Sequence, residues 1–349
     1  MAKAAASLHR PARAMGITGP RALKAALGVL LVALLAAVAA ALLPDNPYQR
    51  WQLLDGTIHK RARWIHERIH HDPEPLDVVA IGPSRMGSAV SPVLLAQALG
   101  LPPERVANFA LPENGRNLHA LIVEELFTTK RPRLLVVGVT EKPGRYGHSA
   151  YRYVAPAAEL ANPRYLLNVK WAGDLAYLPF RQLKLLAARI APDAMGLAPR
   201  FDPASYRGSI LDPSGDNFLP ESQRRNGPTP LAELQRGVAK LEAGNTPPLL
   251  PPALADQEFG DERINIRRII AAARAHGTRI VFVALPYYTG PAEVQERALY
   301  ESAGPLLNAH FLADDPALFV DYGHLNSKGA ARLSMWLGQQ LRPQLEAAP

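Results

Sequence analysis

The chain contains no cysteine. Disulfides, cysteine nucleophiles and thiolate metal sites are therefore excluded, and the redox compartment is left open. Acidic residues are missing from the first 24 positions, where Lys3, Arg10, Arg13, Arg21 and Lys24 stand unopposed. Those five carry most of the net charge of +8 and leave +3 for the rest. A basic stripe interleaved with aromatics is also missing, so the positive balance gives no argument for a nucleic-acid partner. Internal repeats are absent.

What is present begins with an apolar run. Ala25 to Leu43 is 19 residues without a charge, close to the ~20 that span a bilayer. The basic flank places residues 1–24 in the cytoplasm, residues 25–43 in the membrane as a signal anchor, and the remainder across it. In a bacterium this is a single-pass inner-membrane protein whose C-terminal domain faces the periplasm. The rival is a cleaved signal peptide, with small-x-small sites at Ala37-Val38-Ala39 and Ala39-Ala40-Ala41.

Residues 44–75 read as a juxtamembrane segment. Pro44 to Pro47 breaks the first helix, and Tyr48 to His71 has the apolar spacing of a second. It contains His66-Glu67-Arg68-Ile69-His70, a formal H-E-x-x-H zinc motif. Arg68 inside the motif, the stop at His71-Asp72-Pro73 and the lack of an evident third ligand favour a solvated, lipid-proximal basic helix without metal.

From residue 76 the pattern alternates. Strands are expected at 77–81, 105–109 and 133–139, with helices at 92–99 and 116–128 between them. A helix from Asp261 to about His276, a strand at 279–285, a helix at 292–302, a short fifth strand at 317–320 and a last helix capped by Ser327 complete the chain. This alternation implies an α/β domain over 76–344 with a parallel sheet covered on both faces. Residues 141–256 interrupt it as an irregular, proline-rich insert. Helices are expected there at 179–190 and 230–242, and a lid or binding surface is the functional reading. Tyr146, Tyr151, Tyr153, Trp171, Tyr177 and Tyr206 in this region suit stacking on sugar rings.

Gly82-Pro83-Ser84 ends the first strand, and Asp321-Tyr322-Gly323-His324 follows the last expected one. Carboxyl ends of parallel strands open on one edge, so these residues can meet. Ser84 supplies a nucleophilic hydroxyl, His324 the base that takes its proton, and Asp321 the carboxylate that orients the ring.

At these residues the chain resembles the SGNH (GDSL-like) hydrolase superfamily. Gly82-Pro83-Ser84 stands where that family has Gly-Asp-Ser, and Asp321 to His324 matches its Asp-x-x-His block. Asn108 to Gly115 occupies the place of the second block, and Gly138-Val139-Thr140-Glu141 that of Gly-x-Asn-Asp. The resemblance implies a three-layer α/β/α, flavodoxin-like doubly wound sheet and no cofactor. It also implies an oxyanion site, for which Asn114, Gly115, Asn117 and Thr140 are the candidates, with Arg85 as a substrate-binding neighbour. Thr140 replaces the family's asparagine, so Asn114 or Asn117 would supply the missing donor. In layout the chain is most similar to anchored members that work beside membrane-bound O-acyltransferases, such as the D-alanyl transfer protein of lipoteichoic acid and polysaccharide acetylation proteins. That likeness implies acyl transfer on a glycan, with such an acyltransferase as partner. The alternatives are an esterase using the same residues and a non-catalytic glycan-binding or scaffold protein.

Overall fold

The structure is a computed structural model that describes residues 19–164, 168–214 and 229–347. Lys3, Arg10 and Arg13 lie outside the described residues, as does 215–228 of the insert. Helix α1 (Pro20–Ala41) contains a 20-residue stretch, Ala22–Ala41, long and apolar enough to cross a membrane, with none of its most apolar window buried.

The following segment departs from the expected single helix. It forms α2 (Pro47–Gln52) and α3 (Arg61–His70), separated by turns. Nor is it solvated: Trp51, Trp64, Ile65 and Ile69 are fully buried in the same apolar cluster as the sheet. The arginines that suggested a wet surface are instead bound to carbonyls. Arg68 donates to Glu74 O at 2.7 Å and Glu104 O at 2.6 Å, and Arg61 donates to Ala110 O. Carbonyl oxygens that accept from buried guanidinium groups lower the cost of taking them out of water.

The domain is α/β. Strands β1 (Val78–Ile81), β2 (Val106–Asn108), β3 (Leu134–Val139), β4 (Arg279–Ala284) and β5 (Leu306–Asn308) form one parallel sheet in the order β2-β1-β3-β4-β5. Its central strands are near-continuous runs of Val, Leu and Ile, as burial on both faces requires. Val79, Ile81, Leu135, Val137 and Phe282 point into one cluster, and Val78, Ala80, Leu134, Val136 and Val281 into another. Helices α4 (Ser84–Ala89), α5 (Pro92–Leu99) and α6 (Arg116–Thr129) follow β1 and β2. The first cluster takes the apolar side of α6, and the second that of α5.

Among the described residues 141–256 there is no strand. The helices there are α7 (Tyr151–Val154), α8 (Ala157–Ala161), α9 (Trp171–Ile190), α10 (Pro192–Met195), α11 (Leu231–Ala243) and the first half of the short α12 (Ala255–Glu258). Helix α9 begins eight residues earlier than expected and runs through Pro179. Helices α13 (Gly260–Ala275), α14 (Arg297–Glu301) and α15 (Ser327–Glu346) complete the count; α14 is shorter than expected. Asn326, not Ser327, caps α15, accepting from the N–H groups of Lys328 and Gly329 at 3.0 Å.

The fifth strand of the sheet is also not where the pattern put it. Leu306–Asn308 pairs with β4, whereas β6 (Phe319–Asp321) pairs antiparallel with β7 (His324–Leu325) in a separate hairpin. The correction matters because Asp321 and His324 are therefore partners across a hairpin rather than residues trailing a sheet strand.

Candidate active site

Ser84 is the first residue of α4, which starts directly after β1. Gly82 makes that abrupt start possible. A Cβ there would lie 2.9 Å from Met86 Cβ and 3.3 Å from Gly138 Cα, so α4 seats Met86 over β1 and β3 only because position 82 has no side chain. The other end of α4 is held from β2. The Asn108 amide donates to Met86 O at 3.1 Å and Val90 O at 2.7 Å, and its oxygen accepts from Ala110 N at 3.1 Å. Asn108 is 1% exposed, so alanine there removes the partners of Val90 O and Ala110 N beside the helix that carries Ser84, while Met86 O keeps the N–H of Val90. Asn108→Ala is expected to cost about 2–3 kcal/mol, read as a lower urea midpoint with an unchanged slope.

The hairpin places the other two residues. Its two-residue loop, Tyr322-Gly323, sets Asp321 directly opposite His324. Asp321 Oδ1 accepts from Gly323 N at 2.7 Å and His324 N at 2.9 Å, and both carboxylate oxygens lie 2.9 Å from His324 Nδ1. His324 Nε2 lies 2.8 Å from Ser84 Oγ. The hairpin is tied down by Tyr288 N donating to Tyr322 O at 2.7 Å and Thr229 Oγ1 donating to Val320 O at 2.6 Å. Burial pushes the Asp321 carboxyl up, but the hydrogen bonds and charge of His324 and the two backbone N–H groups outweigh it. The net shift is below the usual carboxylate range. Asp321 is thus ionised wherever His324 needs a partner, and its contribution fades only as pH falls through that lowered value.

The remaining site candidates divide. Gly115 sits at φ 151°, and a Cβ there would fall 2.0 Å from His148 N. Asn117 Oδ1 accepts from Leu118 N at 2.9 Å and His148 N at 2.8 Å, holding two chain segments together. The Thr140 hydroxyl donates to Lys142 O at 2.8 Å, so its proton is committed to the turn after β3. Asn114 is exposed and lines a small crevice with Gly115 and Thr140. Arg85 pairs with Glu141 at 2.7 Å and lies over the Tyr287 ring at 5.1 Å.

Glu141 and Tyr287 in turn line a cavity of ≈ 480 Å³, walled on its far side by Tyr146, Glu242, Phe259 and other residues of the insert and its flank. Of the aromatics expected to stack on a ligand, Tyr146 is in this cavity. Four others are engaged elsewhere: Tyr151 donates to Glu159 at 3.0 Å, Tyr206 donates to Asp72, and Tyr153 and Tyr177 pack around Arg152. The Trp171 indole donates to Leu160 O at 2.9 Å.

Beneath α6 lies a group that sequence reading missed. Asp261, on α13, accepts from Arg116 N at 2.7 Å and Asn117 N at 3.3 Å, capping α6 from a distance. Beside it, Arg116 bridges Glu262 at 2.9 Å, and Glu262 also accepts from Tyr300 at 2.7 Å. Burial pushes the Asp261 carboxyl up to about 7 despite the N–H groups aimed at it.

The H-E-x-x-H residues do acquire a neighbour: Glu125 of α6, whose oxygen lies 2.6 Å from His70 Nε2. Nothing local marks this third group, 55 residues away. A cation lies near the cluster, however. The largely buried Arg50 is close enough that Glu125 favours its charge and it opposes the charging of His66. Burial, with His70, His71 and Arg50 nearby, pushes the His66 ring down to about 2. The Glu67 carboxylate accepts from Tyr48 Oη at 2.7 Å and Arg63 Nε at 2.8 Å, and is buried away from any substrate. These residues pack α3. His66→Ala and His70→Ala are expected to lower stability by about 1–3 kcal/mol while leaving metal content and ester turnover unchanged, as elemental analysis and a rate assay would read.

No protein-family model matches the chain. No curated protein matches it either.

Proposed function

We propose that the chain is an SGNH-type serine acyltransferase or esterase, anchored by α1 with its domain in the periplasm, acting on O-acyl groups of an envelope or exported polysaccharide. One observation carries this reading: the unbroken hydrogen-bond chain Ser84 Oγ, His324 Nε2, His324 Nδ1, Asp321, at 2.8 and 2.9 Å. The strand order 2-1-3-4-5 supports the three-layer flavodoxin-like arrangement, in which ligands bind outside the carboxyl ends at the reversal between β1 and β3.

In this mechanism His324 Nε2 takes the Ser84 proton as Oγ attacks the acyl carbonyl. The imidazolium is stabilised by ionised Asp321. Proton return from His324 to the leaving oxygen gives the acyl-Ser84 ester. A glycan hydroxyl or a water, deprotonated by the same ring, then takes the acyl group. Asn114 is the proposed side-chain donor to the oxyanion, exposed in the crevice it shares with Thr140, whose own hydroxyl proton is committed to Lys142 O. The cavity beyond Arg85 takes the acceptor, where the exposed Tyr146 offers a ring face and Glu141 and Glu242 offer hydroxyl acceptors.

The partner is a membrane-bound O-acyltransferase that supplies the acyl group. The test is product analysis with an activated acyl ester, with and without an oligosaccharide acceptor. Acylated oligosaccharide supports transfer. Free acid alone, unaffected by acceptor, supports the esterase. Neither product, together with saturable glycan binding, supports the non-catalytic scaffold, for which the Thr140 substitution is the favouring feature.

A further inference from the structure

Helix α9 carries its buried face inward through Leu178, Arg181, Gln182, Leu185 and Ala188. Its opposite face is exposed and apolar: Ala172, Ala176, Phe180, Leu183, Ala187 and Ile190 recur at intervals of three and four. Phe180 is 60% exposed and Ile190 75%. A soluble helix turns polar residues outward, so a continuous apolar outer stripe calls for an apolar occupant.

The fold says where that stripe sits. The Gln182 amide donates to Leu43 O at 2.7 Å, and Arg181 pairs with Asp45 at 3.5 Å. Ala37, Ala40 and Ala41, in the last turns of α1, are half-buried, whereas residues 23–36 are exposed. Helix α9 is therefore fastened to the end of the apolar helix. A bilayer that contains Ala22–Ala41 has its surface at Leu42 to Asp45, the level at which α9 is held.

We propose that α9 lies in the interface of the same phospholipid bilayer that holds α1, with its apolar stripe dipped into the headgroup and acyl boundary. This rests on α1 being an uncleaved anchor. The stripe has the aspect of an interfacial helix: apolar on one side, with Lys184 and Arg189 available to lipid phosphates. The consequence is orientational. One helix leaves a domain free to tumble, whereas two elements at fixed geometry hold the Ser84 edge in one attitude to the membrane.

The absence of native cysteine allows a clean test on the full chain. Single cysteines replace Phe180, Leu183 or Ile190, with Leu31→Cys in α1 and Glu301→Cys on α14 as references. Each carries an environment-sensitive fluorophore in nanodiscs of phosphatidylethanolamine and phosphatidylglycerol holding one copy of the chain. Lipids bear a spin label near the headgroup or at the tail end. The three α9 labels are expected to lose fluorescence most to the headgroup-proximal quencher, Leu31 most to the tail-end quencher, and Glu301 to neither. Quenching at Leu31 without quenching at α9 would overturn the proposal. So would shielding of α9 that appears only when several copies share a vesicle, which would assign the stripe to a second copy. Loss of quenching at Leu31 as well would remove the anchor itself.

Discussion

Replacing His324 with alanine is expected to lower the turnover number for an activated acyl ester by on the order of 10⁶-fold, about 8 kcal/mol of transition-state stabilisation. The reason is geometric. His324 Nε2 is the group within 2.8 Å of Ser84 Oγ, and a serine hydroxyl without a base is a poor nucleophile. Asp321→Ala is expected to cost less, about 10⁴-fold, because the ring can still accept the proton without its orienting partner. The double variant should be little worse than His324→Ala alone, since the groups act as a unit. The hairpin backbone is tied by Tyr288 and Thr229, so His324→Ala should leave thermal stability nearly unchanged, whereas Asp321→Ala also removes the acceptor of Gly323 N and His324 N and should cost about 1–2 kcal/mol. Additive losses in the double variant would contradict a shared pathway for the proton.

The second large effect concerns folding. Gly115→Ala is expected to destabilise the domain by about 4 kcal/mol or more. The new Cβ would fall 2.0 Å from His148 N and 2.3 Å from His148 Cα, both backbone atoms that cannot swing aside. At φ 151° an L-residue is strained even without that clash. Gly100→Ala supplies the contrast: it also has positive φ, at 72°, but a Cβ there meets nothing within 4 Å. Its cost should be only about 1–2 kcal/mol of backbone strain. Urea midpoints of the two variants, measured side by side, separate steric exclusion from conformational preference. Equal shifts would mean that the approach of residues 115 and 148 is not tight.

These effects mark what local sequence could and could not announce. Strands β1, β3 and β4 were legible because each is made mainly of Val, Leu, Ile and Ala and is bounded by punctuation such as Gly82-Pro83 and Leu285-Pro286. Leu306–Asn308 was not, being three residues at the sheet edge, only half-buried and ending in asparagine. Phe319–Asp321 has strand character, and nothing local distinguishes a sheet strand from a hairpin arm. Ser84, Asp321 and His324 could be singled out as candidates because each adjoins a short turn, Gly82-Pro83 or Tyr322-Gly323, at the end of an element. Their supports could not. Asp261 caps α6 across 145 positions, and Asn108 braces α4 from a neighbouring strand. Such partnerships exist only once the sheet is assembled. The segment holding α2 and α3 misled by composition, since arginine usually signals solvent, and here buried guanidinium groups are absorbed by carbonyls.

The most direct test of the central claim is covalent. A fluorophosphonate probe reacts with a serine whose hydroxyl has been activated by a neighbouring base and spares ordinary serines. On the intact chain the account predicts one modified peptide, carrying the probe on Ser84 and not on Ser88 or Ser91, with labelling abolished in Ser84→Ala and in His324→Ala while both variants keep the wild-type unfolding midpoint. A folded wild-type protein that takes up no probe, or one labelled equally well when His324 is alanine, would contradict it.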